Sequence, residues 1–233
     1  MSIPLGRFVV VLLCLLAGIH CASKPPPPSE PIPPALASID ALLEARPVDT
    51  SRPDWKQKVP RPPPVSFPPQ SKYYWMLFTS EGLVKIELFP QWAPRHVGTT
   101  LYLTRLGFYD GLVFHRIIPD FMAQSGDPTG TGSGDPGFRY AGEFPRRGPT
   151  HDGRGIVSAA NAGPRTDGSQ FFILFKEAGH LDGKHTVFGK VVEGFGTLRM
   201  LQARGSKSGK PTEIVRIERA EIRELPAKVI AGP

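Results

Sequence analysis

The chain has 233 residues, of which 40% are apolar and 21% are charged, as is ordinary for a soluble globular protein. This length predicts one domain of about 150 residues with appendages. The net charge is +7, but no basic run with interleaved aromatic residues occurs, which argues against nucleic-acid binding. Both cysteines, Cys14 and Cys21, stand near the start of the chain. The rest of the sequence therefore has no cysteine for a disulfide framework or a thiolate metal site.

The first 22 residues predict a signal peptide. A single basic residue, Arg7, precedes an apolar run over residues 8–19. Such a run is too short to cross a bilayer as a helix but is typical of the core of a signal peptide. Residues 16–21 are similar to the end of a bacterial lipoprotein signal, although Ile19 and His20 stand where small residues are expected.

Two fates of this segment follow from the pattern. We favour lipidation of Cys21, which would anchor the protein at a membrane. The alternative is plain secretion with cleavage after Ala22 or Ser23. Both predict an exported protein, either periplasmic or held at the cell envelope.

Residues 23–71 predict a proline-rich linker. Fifteen of the 27 prolines lie between Lys24 and Pro69, a density that opposes a sheet or a long helix. In the polyproline II conformation the segment would act as an extended spacer behind the anchor. Ser38 is a candidate N-cap for one short helix over residues 39–45. PxxP patterns also suit SH3-like partners, an alternative that stays open.

Residues 72–225 predict a mainly β domain, and residues 226–233 a disordered tail. The strand patterns are short and are separated by turn residues such as Gly82, and the last one has a slip near Arg219. The predicted strands cover residues 74–79, 83–88, 113–127 with a break at Pro119, 188–192 and 214–225, and the helices 94–106 and 194–203. Many short strands with only two helices predict a closed β-barrel capped by helices.

Residues 113–127 carry the strongest functional signal. Arg116 and Gln124 stand in an almost unbroken apolar run. A guanidinium among apolar residues needs a partner or a function. Taken alone, Arg116 would most simply pair with Asp120 or Asp127, or reach solvent.

Three motifs in order reveal a family resemblance. Residues 114–127 are FHRIIPDFMAQSGD, residues 155–174 are GIVSAANAGPRTDGSQFFIL, and residues 180–191 are HLDGKHTVFGKV. With these motifs the chain resembles the cyclophilins, the cyclosporin-type peptidyl-prolyl isomerases. The resemblance covers about residues 73–225, and the compact span 140–155 is closer to short bacterial forms than to eukaryotic cytosolic ones.

The resemblance implies a fold and a reaction. The fold would be an eight-stranded antiparallel barrel with its active groove on the outer face. The reaction would be cis-trans isomerisation of X-Pro bonds in proline-containing client polypeptides, which would assist the folding of exported proteins. It would use no cofactor and no metal, and the protein would act as a monomer.

The resemblance also implies a role for each motif residue. Arg116 would be catalytic, and Gln124 would hold both Arg116 and a substrate carbonyl. The other residues would bind the peptide: Phe121, Met122, Phe172 and Leu181 as the proline pocket, His185 at its rim, Ala160, Asn161 and Ala162 along the backbone, and Gly130 and Gln170 in an adjoining subsite.

Each of these residues also has a plainer interpretation. Phe121, Phe172 and Leu181 are equally compatible with the barrel core. Asn161 could be a turn residue, and His185 a surface strand residue. Only the joint occurrence of all three motifs favours the functional interpretation.

One departure from the family affects an inhibitor. His180 stands where many cyclophilins carry a tryptophan that is associated with cyclosporin binding. We therefore expect weakened cyclosporin binding with retained activity.

Proteins of other classes fit the sequence less well than the enzyme. The histidines are scattered without metal-ligand spacing, and the glycines of residues 130–134 and 205–209 lack the context of a nucleotide loop. The main rival is a non-catalytic module that grips proline peptides as an envelope chaperone or scaffold. A structural envelope protein, in which the tether matters most, is the further alternative.

Overall fold

The computed structural model describes residues 34–225. The predicted signal peptide, Cys21 and the predicted tail over residues 226–233 lie outside the described residues, so these assignments stay predictions. Within residues 34–225 no helix is both long and apolar enough to cross a membrane.

Eight antiparallel strands form one sheet. Their bounds are β1 Lys72–Thr79, β2 Gly82–Leu88, β3 Arg116–Ile118, β4 Met122–Ser125, β5 Ile156–Ala159, β6 Phe171–Leu174, β7 Val187–Glu193 and β8 Ile217–Leu225. The order across the sheet is β3-β4-β6-β5-β7-β2-β1-β8. The predicted break at Pro119 is confirmed, because it separates β3 from β4. The predicted slip near Arg219 is also confirmed, since Phe78 pairs with Arg219 while Thr79 pairs with Ile217.

The sheet is an open half-barrel, so the prediction of a closed barrel is wrong. Among the described residues the edge strands β3 and β8 share no ladder, and only an isolated bridge joins Val113 to Arg216. Pro119 limits β3 to three residues. Its free edge is taken by a loop, because the Ile117 N–H donates to the Gly209 carbonyl oxygen at 2.8 Å.

Within the described residues three α-helices accompany the sheet: the two predicted to cap it and the short one predicted in the linker. They are α1 Pro34–Ala45, α2 Pro94–Arg105 and α3 Phe195–Ala203. The two predicted cap helices are confirmed as α2 and α3. The short helix predicted inside the linker is α1, which begins at Pro34 instead of residue 39 and ends before Pro47.

The described part of the proline-rich segment packs on the domain, unlike the predicted spacer. Ala35, Leu36 and Ile39 of α1 are buried in the main core, and Asp40 accepts a hydrogen bond from Arg105 Nε of α2 at 2.7 Å. We call residues 46–69 the strap. Val59 of the strap is also buried in the main core. Single apolar residues between the prolines thus supply contacts that the composition alone does not suggest.

Alternation along the central strands creates two apolar clusters. On β6, Phe171 and Ile173 belong to the main core, while Phe172 and Leu174 belong to a second, smaller cluster. On β4, Ala123 faces the main core and Met122 the second cluster. Because successive side chains of a strand point to opposite faces, the second cluster lies on the outer face of the sheet.

A buried histidine joins α2 to two loops beside the sheet. His96 is 2% exposed, and its Nδ1 lies 2.6 Å from Glu143 Oε2 and its Nε2 2.9 Å from Asp167 Oδ2. Burial alone would lower the pKa of His96, but the hydrogen bonds to Asp167 and Glu143 outweigh it and leave the pKa raised. A protonated imidazole donates to both carboxylates and so fixes the loops that contain them.

Replacing Ile39 by alanine tests whether α1 is part of the folded domain. Ile39 is 2% exposed, and loss of a buried isoleucine side chain costs about 2–5 kcal/mol. We expect the free energy of unfolding in urea to fall by that amount. Ile214→Ala is the matched control, because Ile214 is 71% exposed. Equal and negligible effects of the two substitutions would show that α1 does not contribute to the domain.

Candidate functional site

The β3–β4 hairpin presents Arg116 to solvent beside Gln124. The two residues are paired in register, and Arg116 Nη1 lies 3.5 Å from Gln124 Oε1. Asp120, at the tip of the hairpin, accepts a hydrogen bond from Gln202 instead. Among the described residues no carboxylate forms an ion pair with Arg116. The predicted pairing with Asp120 or Asp127 therefore does not hold, whereas the other plain interpretation, a guanidinium that reaches solvent, agrees with the exposed Arg116 side chain.

A neighbouring loop supports the Arg116 side chain from behind. Gly209 has φ +86°, and a Cβ there would lie 3.1 Å from Arg116 Cγ. The Ser206 N–H donates to the Ile117 carbonyl oxygen at 3.1 Å. The loop is thus bonded to β3 and needs glycine at its closest approach.

Arg116 stands on the wall of a pocket of about 270 Å³. The pocket gathers residues of three separate motifs. Its lining is Arg116, Phe121, Met122, Gln124, Ala160, Asn161, Phe172, Leu181 and His185. Nine of the twelve predicted catalytic and binding residues within the described chain therefore meet at one place.

The apolar part of this pocket belongs to the second cluster. Met122 and Phe172 are buried members of it, and Phe121 and Leu181 pack against it while partly exposed. They are therefore not part of the main core, which was the plain interpretation of Phe121, Phe172 and Leu181. An exposed apolar concavity of this kind suits the ring of a proline.

Two residues of the rim are held by backbone groups. His185 Nδ1 lies 3.0 Å from the Ala159 carbonyl oxygen, and since a carbonyl only accepts, Nδ1 carries the proton. Asn161 donates through Nδ2 to the Lys184 carbonyl oxygen at 3.0 Å. Its Oδ1 accepts from the Gly163 N–H at 3.2 Å. Asn161 is thus the turn residue of the plain interpretation and a lining residue as well.

A second cavity, of about 300 Å³, adjoins the first one and shares Gln124, Ala160 and Asn161 with it. Ala162 and Gln170 line it. Gln124 Nε2 donates to Gln170 Oε1 at 2.9 Å, and Gln170 Nε2 donates to the Gly134 carbonyl oxygen at 2.8 Å. Hydrogen bonds thus connect Gln124, the neighbour of Arg116, through Gln170 to the far wall of the second cavity.

Gly130, which the sequence predicts in the adjoining subsite, is not among the residues that line either cavity. It lies in the same loop, with φ +68°, where a Cβ would be 3.2 Å from Val113 Cγ2. The loop is organised around buried Asp127. Burial alone would raise the pKa of Asp127, but hydrogen bonds from Thr129 and from the Gly134 and Gly132 N–H groups hold the pKa below its ordinary value. The positive φ of Gly130 gives it a role in this turn, and its place in the subsite stays a prediction.

The motifs did not reveal a line of polar residues beneath Phe172. His151 stacks on Phe172 with ring centroids 6.1 Å apart. Its Nδ1 lies 2.7 Å from Asp182 Oδ1 and its Nε2 lies 2.9 Å from Ser158 Oγ. Burial lowers the pKa of His151, although Asp182 opposes the shift. A neutral ring that donates to Asp182 and accepts from Ser158 fits both contacts.

This serine, histidine and aspartate do not form a nucleophilic site. Ser158 is 0% exposed, so no substrate carbonyl can approach its hydroxyl. The hydrogen bonds to Asp182 and Ser158 instead fix the His151 ring, which stacks on Phe172. No sequence pattern signals this role, because His151 and Asp182 are 31 positions apart. Within residues 34–225 no cluster of three or more potential metal ligands occurs either.

Comparisons with known proteins agree with this geometry. The family model for cyclophilin-type peptidyl-prolyl cis-trans isomerases matches residues 74–222. A peptidyl-prolyl cis-trans isomerase-like 1 of Gibberella zeae is 44% identical over 153 residues, which are 64% of this chain and 94% of that protein. A peptidyl-prolyl cis-trans isomerase-like 2 of Cryptococcus neoformans is 47% identical over 137 residues, or 57% of this chain, but the match spans only 24% of that protein.

A solved structure shows the same fold. The crystal structure of a Cryptosporidium parvum cyclophilin-type isomerase, determined in the presence of the dipeptide Ala-Pro, superposes with a TM-score of 0.61 at 36% identity. It covers 64% of this chain and 98% of that one. These relatives are eukaryotic and give no support to the predicted bacterial likeness. With the family model matched over more than half of its length, the chain belongs to the cyclophilin-type peptidyl-prolyl cis-trans isomerase family.

Proposed function

We propose that the protein accelerates cis-trans isomerisation of X-Pro bonds in client polypeptides. The observation that carries the proposal is the guanidinium of Arg116, which has no carboxylate partner within residues 34–225 and lies on the wall of a proline-sized apolar pocket. The solved relative determined in the presence of Ala-Pro makes a proline peptide a reasonable ligand for such a pocket.

The physical task is to lower a barrier of about 18–20 kcal/mol that comes from amide resonance. No bond is exchanged with another group, so neither a nucleophile nor a metal is required. Resonance is lost when the amide twists and its nitrogen becomes pyramidal. A site that binds the twisted amide better than either planar form accelerates the rotation.

Arg116 can supply this difference in binding. Its guanidinium can donate a hydrogen bond toward the prolyl nitrogen, whose lone pair is available only when the amide is twisted. Gln124 lies beside Arg116 in register and restricts the position of its side chain. The proline ring would occupy the space above Met122 and Phe172.

The rest of the groove can hold the chain on either side of the proline. One edge of the cavities is lined by Ala160, Asn161 and Ala162. The polar groups of this segment would be partners for the backbone of an extended peptide. His185 stands at the rim beside this segment, with its Nδ1 bonded to the Ala159 carbonyl oxygen. Holding both flanks of the bond determines which end of the amide rotates.

Replacing Arg116 by alanine is the central test. We expect kcat/KM for a proline-containing peptide to fall at least tenfold, about 1.4 kcal/mol of barrier, while the fold by circular dichroism stays unchanged. Arg116→Lys should recover little activity, because a lysine lacks the planar donors of a guanidinium. The full chain should be used, since residues 34–71 pack on the domain.

Arg199→Ala is the matched control, because Arg199 is an exposed arginine of α3 that lines neither cavity. It should leave kcat/KM unchanged. An Arg116→Ala variant with full turnover would refute the assigned role. A folded wild type that binds proline peptides without turnover would favour the rival function, a binding chaperone or scaffold.

We further propose weak cyclosporin binding. His180 is exposed and stacks on Phe121 with ring centroids 6.0 Å apart, at the position where many cyclophilins carry a tryptophan. An imidazole offers less apolar area than an indole. We expect His180→Trp to tighten cyclosporin binding at least tenfold in a fluorescence titration, with turnover changed less than twofold. Nanomolar inhibition of the wild type would contradict this prediction.

An export role is also proposed, and it rests on the sequence alone. The apolar run over residues 8–19 and the cysteine behind it suit a signal with lipidation of Cys21. We expect the protein to fractionate with membranes, and Cys21→Ser to release it into the soluble exported fraction. Cys14→Ser is the matched control and should change nothing. Fractionation of the unaltered protein with the cytosol would contradict export.

A further inference from the structure

The strap, residues 46–69, touches the loop that forms one wall of the second cavity. The Val59 N–H donates to the Pro136 carbonyl oxygen at 2.8 Å. Arg61 donates from its guanidinium to the Arg139 carbonyl oxygen. A Cβ at Gly137 would lie 2.8 Å from the Gln57 carbonyl oxygen, so the two chains are in direct backbone contact there.

The same loop is part of the cavity. Gly134, Asp135 and Arg139 line the second cavity. Asp135 and Arg139 form an ion pair at 2.8 Å, and Asp135 also accepts from the Gly137 N–H at 2.8 Å. Asp135 thus ties positions 137 and 139 of the loop together, with the strap on one side and the cavity on the other.

The strap is anchored on elements that carry no residue of the pocket. The Trp55 ring packs edge-on against Phe108 with centroids 6.2 Å apart, and Lys56 Nζ donates to the Asp110 carbonyl oxygen at 2.6 Å. At the far end, Phe67 packs edge-on against Tyr73 with centroids 5.2 Å apart. The strap is therefore attached both to the main core and to the cavity wall.

We propose that the strap, which lies outside the residues matched by the family model, positions the wall of the second cavity and thereby affects which client residues bind in this adjoining subsite that the family resemblance implies. This inference rests on the proposed function only in that the ligand is a proline-containing peptide. The cavity lining is polar, with Gln124, Asn161, Thr166 and Gln170, and its one ion pair is already internally balanced. The residue that it accepts is therefore an uncharged polar one, such as glutamine, asparagine, serine or threonine.

The test compares two peptides on the full chain. The short peptide, a blocked Ala-Pro, reaches only the proline pocket, while the long peptide carries the same Ala-Pro with a glutamine-containing extension before it. The ratio of the two Kd values, measured by calorimetry, reports the contribution of the second cavity. A merely structural role of the strap would weaken both peptides alike and leave this ratio unchanged.

Arg61→Ala and the double variant Trp55→Ala/Arg61→Ala carry the test. We expect each variant to raise the Kd for the long peptide, at least threefold in the double variant. The Kd for the short peptide should change less than twofold. Arg52→Ala is the matched control, because Arg52 is an exposed strap arginine whose partner is Asp54 of the same segment. Replacing the glutamine by glutamate should remove the gain in the unaltered protein. Arg61 is exposed, so its single variant keeps the test valid if the double variant unfolds.

The outcomes separate this inference from the proposed activity. An unchanged Kd ratio in folded variants, or parallel weakening of both peptides, overturns the positioning role even if turnover is normal. If the wild type shows no turnover but the variants still lower the ratio of the two Kd values, the positioning role is supported and the enzymatic function is refuted.

Discussion

The site depends on the alternation of side chains along β4, β5 and β6. Each of these strands contributes apolar side chains to both faces. One row of side chains packs in the main core, and the next row contributes to the second cluster. A shift of one residue in register would exchange the two rows and bury Gln124 in place of Ala123. The pairing of Ala123 with Ile173 therefore stabilises the fold and places the pocket in the same step. This is why a short, nearly continuous apolar motif carries functional residues.

The sequence predicted which residues come together because they lie in three compact motifs. Arg116 and Gln124 are eight positions apart and come together through one hairpin, whose break at Pro119 is visible in the sequence. The contacts that were not predicted join distant positions. His96 and Asp167 are 71 positions apart, and no periodicity relates them. The closed barrel was expected from the number of short strands. That number does not show which sheet edge a loop covers, and here the loop that contains Gly209 covers the edge of β3.

The contrast between two polar groups shows how burial decides chemistry. Ser158, His151 and Asp182 have the spacing of a hydrolytic triad, with contacts of 2.9 and 2.7 Å. The serine is inaccessible, so the line can only support the pocket floor. Arg116 has no carboxylate partner among the described residues and stands on an accessible wall. Isomerisation needs no nucleophile, and in the proposed mechanism the accessible guanidinium is the hydrogen-bond donor.

The order of the strap has a physical explanation in its composition. Proline restricts the unfolded chain, so fixing a proline-rich segment on a surface costs less entropy than fixing an ordinary loop. Proline also has no N–H group to donate to a neighbouring wall. Within residues 59–64, four of the six positions are proline, and the two exceptions are Val59 and Arg61. These two residues are the ones that donate hydrogen bonds to the loop of the second cavity, the first from its backbone and the second from its side chain. Both hydrogen-bond donors of this stretch thus face the loop of the second cavity. A segment that served only as a spacer would not require this arrangement.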